Sequence, residues 1–397
     1  MEVKKRHYRL LNFLRPFVKS FFKHKYGFTS VLHPELKNTP FILVSNHVTQ
    51  VDPVLVSLAF KQHIYYVATE NVFQRKWISK LLVYFFSPIK KVKNEVDIGT
   101  IRDMMSVAKQ GGSLGLFLSG NATYSGEEEY IHSPIAGLIK KLGLPLVIYN
   151  LYGCYGVAPR WGNELRKGKC FGDIRRIITP EEYSTMSNEE LEEIIHHGLD
   201  VKETDKVESE LYDCPNRAEY LERALFCCPD CHSFQTLKSE KHTLKCLKCG
   251  YEVTYEKGLK LTTIKGEKTF ARVKEWYDFE KNYVASYDFQ RYNKMVVLKD
   301  KGITIRDIHE KSEAQAGTIE LYNDSLHVIT DQVLVIPFTE ITSMAAQSKN
   351  NLLVKTKTVT YEINGNVRRS ALAYLMIFYS IKNKEDGQDE SNRFLGI

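Results

Sequence analysis

The sequence predicts an α/β domain, a mixed sheet flanked by helices, followed by a four-cysteine zinc ribbon and a mostly β C-terminal domain. Three observations carry this prediction. The apolar run Phe41 to Val44 reads as a buried strand and leads directly into Asn46, His47 and Asp52. Two Cys-x-x-Cys pairs, Cys228/Cys231 and Cys246/Cys249, stand fourteen residues apart. Short alternating or apolar segments between residues 317 and 363 are separated by Asn, Asp, Gly or Lys turns. At 397 residues the chain exceeds one ordinary domain. The expected parts are 1–205 (α/β), 206–225 (helical linker), 226–256 (ribbon), 257–382 (β domain) and 383–397 (disordered tail).

The first 25 residues hold most of the net charge of +7. Leu10, Leu11, Phe13, Leu14, Phe17, Val18, Phe21 and Phe22 recur there at helical spacing among Lys and Arg, and Pro16 kinks the stretch or starts a second helix. A basic helix with bulky apolar residues predicts an interfacial anchor on anionic lipid, an amphipathic helix docked on the protein's own core, or both on different faces. No run reaches the ~18 apolar residues of a membrane span, and no signal-peptide core is evident. The expectation is a cytoplasmic protein, peripheral on a membrane.

After the strand at Phe41, Asp52-Pro53 supplies an N-cap residue and a proline at the first helical position, so a helix is expected over 53–60. His47 then lies in the loop between strand and helix. On one continuous helix the His47 and Asp52 side chains would diverge by roughly 140°, so the turn must fold the carboxylate back. If it does, an imidazole held in one tautomer can take a proton from a hydroxyl near neutral pH.

Asn46-His47-x4-Asp52 after a buried strand resembles the first motif of the glycerolipid acyltransferase family, whose members acylate lysophosphatidic acid and related acceptors. The resemblance covers roughly residues 1–200. A second block ending in a basic residue corresponds to Phe86-Ser-Pro-Ile-Lys-Lys, with Lys90 or Lys91 in the basic role. The third block, usually Phe-Pro-Glu-Gly-x-Arg or Glu-Gly-Asn-Arg, corresponds to Phe117-Leu-Ser-Gly-Asn-Ala-Thr-Tyr-Ser-Gly. Gly120, Asn121, Thr123 and Gly126 match, whereas Ser119 and Ala122 stand where the family has its acid and arginine. Alanine cannot reproduce an arginine fork on phosphate. Either another cation, Lys90, Lys91 or Arg160, holds the head group, or the acceptor differs, or activity is reduced. Pro145, in Leu142-Gly-Leu-Pro-Leu-Val-Ile-Tyr, matches the fourth block.

The resemblance implies transfer of a fatty acyl group from a coenzyme A or acyl carrier protein thioester to a lysophospholipid hydroxyl. His47 would be the base and Asp52 its orienting group. Asn46, Lys90, Lys91, Ser119, Gly120, Asn121 and Thr123 would bind substrate, with backbone donors near Ser119 and Gly120 as candidate oxyanion partners. A catalytically impaired lipid-binding or lipid-sensing protein of the same fold is the alternative.

Asn188 to His197 predicts a helix with a solvated end, because adjacent His196 and His197 cannot share one face; Arg217 to Phe226 reads in similar style. Cys228, Cys231, Cys246 and Cys249 predict a closed four-thiolate zinc shell with no position for a catalytic water, hence a structural metal. Cys154, Cys170, Cys214 and Cys227 are expected as free thiols. Mixed charges around the ribbon, with no basic aromatic platform, predict no nucleic-acid partner. The C-terminal strands end in a helical stretch, Ser370 to Ile381, and this order looks similar to a pleckstrin-homology or GRAM-type module.

Overall fold

The computed structural model describes residues 2–33, 36, 39–69, 84–91, 98–128, 135–308, 310 and 313–385. The chain divides into two compact units, Met1–Pro159 with Leu165–Tyr212, and Arg160–Glu164 with Asp213–Ile397.

The first unit is built on a seven-stranded mixed sheet. Its strands are β1 (Phe28–Ser30), β2 (Ile42–Ser45), β3 (Ile64–Thr69), β4 (Ile89–Lys91), β5 (Ser113–Leu116), β6 (Leu146–Tyr152) and β7 (Cys170–Ile178), in the order β1-β7-β6-β2-β5-β3-β4. All neighbours are parallel except β6 and β7. Parallel strands are covered on both faces and read as continuous apolar runs, which is why Ile42 to Ser45 is buried throughout. Ile42 and Val44 share a core with Met104 and Val107 of α3 (Ile98–Lys109), Ile139 of α4 (Ala136–Leu142) and Ile195 and Leu199 of α7 (Asn188–Leu199). On the other side Phe60 packs its ring, tilted, against Phe41 and edge-on against Tyr149. The carboxyl ends of β2, β3, β4, β5 and β6 therefore share one edge, the edge at which open α/β sheets bind ligands.

Helix α1 runs unbroken from Lys5 to Tyr26 with Pro16 inside it. One face docks: His7 and Phe22 are buried, and the Arg15 guanidinium donates to the carbonyls of Ser57, Leu58 and Phe60 at the end of α2 (Asp52–Ser57). The other face leaves Phe13, Phe17 and Phe21 exposed, at 71%, 68% and 57%, a spacing of four that aligns them along the helix. Among the described residues no helix is long and apolar enough to cross a membrane.

Helices α6 (Pro180–Ser184) and α7 each begin with a capping box, Thr179 with Glu182 and Ser187 with Glu190. The cap before α7 is thus Ser187, and His196 and His197 lie exposed in its last turn. A helix expected over 206–225 does not form; turns fill the segment apart from a 3₁₀ turn at Leu221–Arg223. Pro215 interrupts it, and Arg217 and Arg223 are buried with their guanidinium groups on the carbonyls of Tyr255, Trp161 and Val367.

The second unit joins ribbon and C-terminal sheet. Strands β8 (Leu237–Glu240), β9 (Thr243–Cys246), β10 (Glu252–Tyr255) and β11 (Leu261–Lys265) form a four-stranded antiparallel sheet that extends past residue 256. Strands β12 (Leu298–Asp307), β13 (Gln315–Leu321), β14 (Ser325–Ile329), β15 (Val333–Pro337), β16 (Ile341–Gln347), β17 (Asn351–Thr356) and β18 (Thr360–Gly365) form an antiparallel sheet in the order β15-β14-β13-β12-β18-β17-β16. Helix α9 (Ala371–Glu385) closes it. A helix apolar on every side must be enclosed, and residues 371–381 are buried without interruption. Residues 383–385, expected in a disordered tail, continue this helix; 386–397 lie outside the described residues. Asp300 ties the two sheets together, accepting from Gln235 of the ribbon and from Asn366 and Tyr374.

His63, ahead of β3, is buried against His7, and its Nε2 donates to the Phe86 carbonyl at 2.9 Å. Burial pushes its pKa down to about 4 from 6.5. The unfolded chain therefore binds this proton first, and stability is lost as pH falls from 6.5 towards 4, by up to about 3 kcal/mol at 1.36 kcal/mol per unit. Denaturant unfolding at pH 7 and pH 4.5 should show this loss, and His63→Gln should flatten the profile over that range.

Candidate active site and metal site

The strand-to-helix turn after β2 does fold Asp52 back onto His47: Asp52 Oδ2 lies 2.8 Å from His47 Nδ1. Asp52 does not act as the expected N-cap. The helix begins at Asp52 itself, Val51 holds the cap position, and the Val54 and Leu55 N–H groups bind the Val51 carbonyl. The fully buried carboxylate instead gathers donors from the loop behind it, the N–H groups of Val48 (2.6 Å) and Thr49 (2.8 Å) and the Thr49 hydroxyl (2.5 Å). A desolvated carboxylate requires such donors, and three of them from two consecutive residues fix the loop's path. With Nδ1 engaged, Nε2 is the ring nitrogen left for a substrate proton. The His47 ring packs on Phe117, centroids 4.5 Å apart, and Phe117 in turn stacks on Tyr66.

Asn46 spends its side chain on the neighbouring strand. Its Nδ2 donates to the Leu151 carbonyl (3.0 Å) and its Oδ1 accepts from the Leu151 N–H (2.8 Å), extending the β2–β6 ladder by one side-chain rung.

The third segment, 117–128, wraps the same turn. Gly120, at φ +75°, donates its N–H to the Phe117 carbonyl (3.1 Å), so this donor closes a tight turn instead of facing an oxyanion. Ser119 Oγ donates to the Asn121 carbonyl, and Ala122 is buried. The Asn121 Nδ2 is buried with no hydrogen-bond partner among the described residues. Thr123 Oγ1 accepts from the N–H groups of Ser125 and Gly126, which reverses the chain. The result is a double clasp on the His47 backbone: Thr123 N–H donates to the His47 carbonyl, and Glu128 Oε2 accepts from the His47 N–H, both at 2.9 Å.

Lys90 and Lys91 are placed elsewhere. They are exposed on edge strand β4, in the same rows as Ser45 and Asn46 but three strands away, about 14 Å at ordinary strand spacing. Arg160 belongs to the second unit and donates to the Ser348 and Ala346 carbonyls. Sequence reasoning missed Glu128, Thr49 and Phe117. The available signal was the lack of any Lys or Arg across 110–139, a stretch that holds the acids Glu127 to Glu129.

The four cysteines of the ribbon converge, their sulfurs all within 4.8 Å of one another. Cys228 and Cys249 are 3.5 Å apart and Cys231 and Cys246 3.7 Å. A tetrahedron with zinc–sulfur bonds of about 2.3 Å has edges of about 3.8 Å, so the donor set fits a closed zinc shell; a disulfide needs about 2.05 Å. Both knuckles close with the same turn, His232 N–H to the Cys228 carbonyl and Gly250 N–H to the Cys246 carbonyl, and His232 and Gly250 both adopt positive φ. Behind the first knuckle, buried Glu280 accepts from the N–H groups of Phe226 and Cys227, and Trp276 Nε1 donates to the Cys227 carbonyl.

Residues 29–147 match the family model described as acyltransferase. No curated protein matches the chain. Among solved structures, the chain is similar to the 1-acyl-sn-glycerophosphate (LPA) acyltransferase PlsC from Thermotoga maritima, at 19% identity over 50% of this chain and 82% of that one, with a TM-score of 0.41. It is also similar to the N-terminal PH domain of human ARAP2 (13% identity, 22% of this chain, 80% of that one, TM-score 0.20). A third match is the C-terminal domain of an unknown protein from Leishmania infantum (17% identity, 22% of this chain, 88% of that one, TM-score 0.18).

Proposed function

We propose, from the match of residues 29–147 to the acyltransferase family model, that the chain moves a fatty acyl group from a coenzyme A or acyl carrier protein thioester to the hydroxyl of a lysophospholipid. The observation that carries the reading is the 2.8 Å contact between His47 Nδ1 and the buried Asp52 carboxylate. His47 Nε2 takes the acceptor's hydroxyl proton as its oxygen attacks the thioester carbonyl. Collapse of the tetrahedral intermediate breaks the carbon–sulfur bond, and His47 returns the proton to the departing thiolate, leaving an ester and a free thiol. The base is a histidine whose orientation is fixed on both sides, by Asp52 at the ring and by Thr123 and Glu128 at the backbone. Ser119 and Ala122, where the family carries acid and arginine, favour a second reading, a lipid-binding protein with impaired chemistry.

The four-thiolate ribbon would hold one zinc through Cys228, Cys231, Cys246 and Cys249, which joins two chain segments and leaves no reactive position. The C-terminal sheet and its closing helix read as a PH- or GRAM-like module. The exposed Phe13, Phe17 and Phe21, among basic residues, suit an anionic membrane surface on the cytoplasmic side.

Four outcomes test these assignments. His47→Ala should abolish acyl transfer while thermal unfolding is unchanged; undiminished turnover in that variant would remove the mechanism, and inactivity of the wild type with both donors would favour the lipid-binding reading. Asp52→Ala should also be inactive and lose about 3 kcal/mol, because the loop N–H groups are left without their charged acceptor. One zinc per chain should co-purify, measured by elemental analysis, and Cys228→Ser should release it; metal-free protein with disulfides there would defeat the assignment. Replacing Phe13, Phe17 and Phe21 together by Ser should weaken sedimentation with anionic liposomes without lowering the melting temperature, and equal binding would transfer the membrane contact elsewhere.

A further inference from the structure

Behind the first cysteine knuckle stands α8 (Val273–Ser286), whose buried residues are Val273, Trp276, Tyr277, Glu280 and Val284. The spacing is that of an apolar stripe, and Glu280 breaks it with a carboxyl that has no exposure to water. An acid in that position costs stability unless its oxygens are paired. One of them is: Glu280 Oε2 accepts from the N–H groups of Phe226 (2.9 Å) and Cys227 (3.2 Å), whereas Oε1 has no hydrogen-bond partner among the described residues. One helical turn away, Trp276 Nε1 donates to the Cys227 carbonyl at 2.9 Å. Both main-chain polar groups of Cys227 therefore end on α8, at two positions four apart on one face. The next residue is Cys228, the first of the four clustered thiols. Two more side chains of α8 take the tip of the same knuckle, where the His232 ring stacks on Tyr283 and Phe279 at centroid distances of 4.8 and 5.9 Å.

The two knuckles are thus held differently. Cys246 ends β9, its N–H bonded to the Tyr251 carbonyl and the Leu247 N–H to the Thr236 carbonyl, so the second knuckle grows out of the ribbon's own sheet. The first precedes β8 and leans on a helix that comes after the ribbon in sequence. Four thiolates brought within 4.8 Å of one another repel, so a backing that presets their spacing favours the metal-bound arrangement. Given one zinc on Cys228, Cys231, Cys246 and Cys249, we propose that Glu280 is a positioning residue of the metal site. It fixes the path of the chain into the first knuckle, and metal binding and the docking of α8 stabilise each other. An apolar residue would complete the stripe and leave two buried N–H groups bare, which is the physical reason for an acid there. The coupling extends past the ribbon: the Val284 and Tyr287 carbonyls at the end of α8 accept from Ser380 and Lys384 of α9, so the helix that closes the C-terminal sheet rests on the same element.

The experiment uses the full chain, loaded with zinc and again after dialysis against a chelator. Zinc release to a chromophoric chelator should be on the order of tenfold faster in Glu280→Ala than in wild type. Glu280→Gln keeps an acceptor oxygen for the two N–H groups and should stay within about threefold of wild type. Melting temperatures separate positioning from ordinary helix stability. A residue that only supports the fold lowers the melting temperature of loaded and metal-free protein alike, whereas a positioning residue shrinks the difference between them. Glu280→Ala should therefore lose most of the zinc-dependent rise, and Glu280→Gln should keep it. Amide hydrogen exchange over 273–286 should slow on zinc loading in wild type and not in Glu280→Ala. If Glu280→Ala does not accumulate as folded protein, Trp276→Phe keeps an aromatic ring, removes the N–H on the Cys227 carbonyl and should shift release and melting in the same direction. Release at the wild-type rate by both variants, or an equal loss of melting temperature with and without metal, would overturn the proposal and leave the four-thiolate assignment standing. A wild-type chain that holds no zinc would remove that assignment, and the proposal with it.

Discussion

The first unit of this protein is organised around one buried carboxylate. Asp52 has no exposure to water, and its two oxygens collect the Val48 and Thr49 N–H groups, the Thr49 hydroxyl and the His47 ring nitrogen. Removing a carboxylate from water is costly, and that cost is offset only if the donors converge. The loop between β2 and α2 is therefore held in one path by electrostatics, and His47 is held with it. Packing supplies the second constraint: Phe117 and Tyr66 form a wall against the imidazole.

Around that centre the fold fixes the path of the neighbouring segments. Parallel strands bring the ends of β2, β5 and β6 to one edge, and the side chain of Asn46 pairs with Leu151 to keep two of those ends in register. The 117–128 segment uses its small residues to turn tightly, with Gly120 in the left-handed region and Thr123 holding two following N–H groups. What it delivers to the His47 backbone is the Glu128 carboxylate, which accepts the His47 N–H.

Legibility in the sequence followed the range of the interaction. His47 and Asp52 are five residues apart, and strand, turn and proline signals sufficed to expect their meeting. Glu128 reaches His47 across 81 residues, and no local pattern announces such a contact. The cysteine knuckles were readable because metal ligation fixes spacing. Strand β12 was not readable: Lys299, Asp300, Lys301 and Gly302 interrupt its alternation, and its register shifts between Lys301 and Ile303. Yet it joins both halves of its sheet, pairing with β13 on one side and β18 on the other. The expected helix at 206–225 failed for a different reason. Its long charged side chains, notably Arg217, Glu222 and Arg223, are buried in tertiary hydrogen bonds that no helical face could supply.

Arg15 gives the N-terminal helix a status that its amphipathic sequence does not suggest. Its guanidinium holds the carbonyl of Ser57, the last residue of α2, and those of Leu58 and Phe60 just beyond it. That helix is six residues long, about 9 Å, and its first residue is Asp52. The face that carries Phe13, Phe17 and Phe21 and the carboxylate bonded to His47 are thus joined through a single short rod. The N-terminal segment is a structural member of the first unit, so its removal would alter that unit's interior as well as its exterior. A displacement of α1 is transmitted to the Asp52 carboxylate within two helical turns.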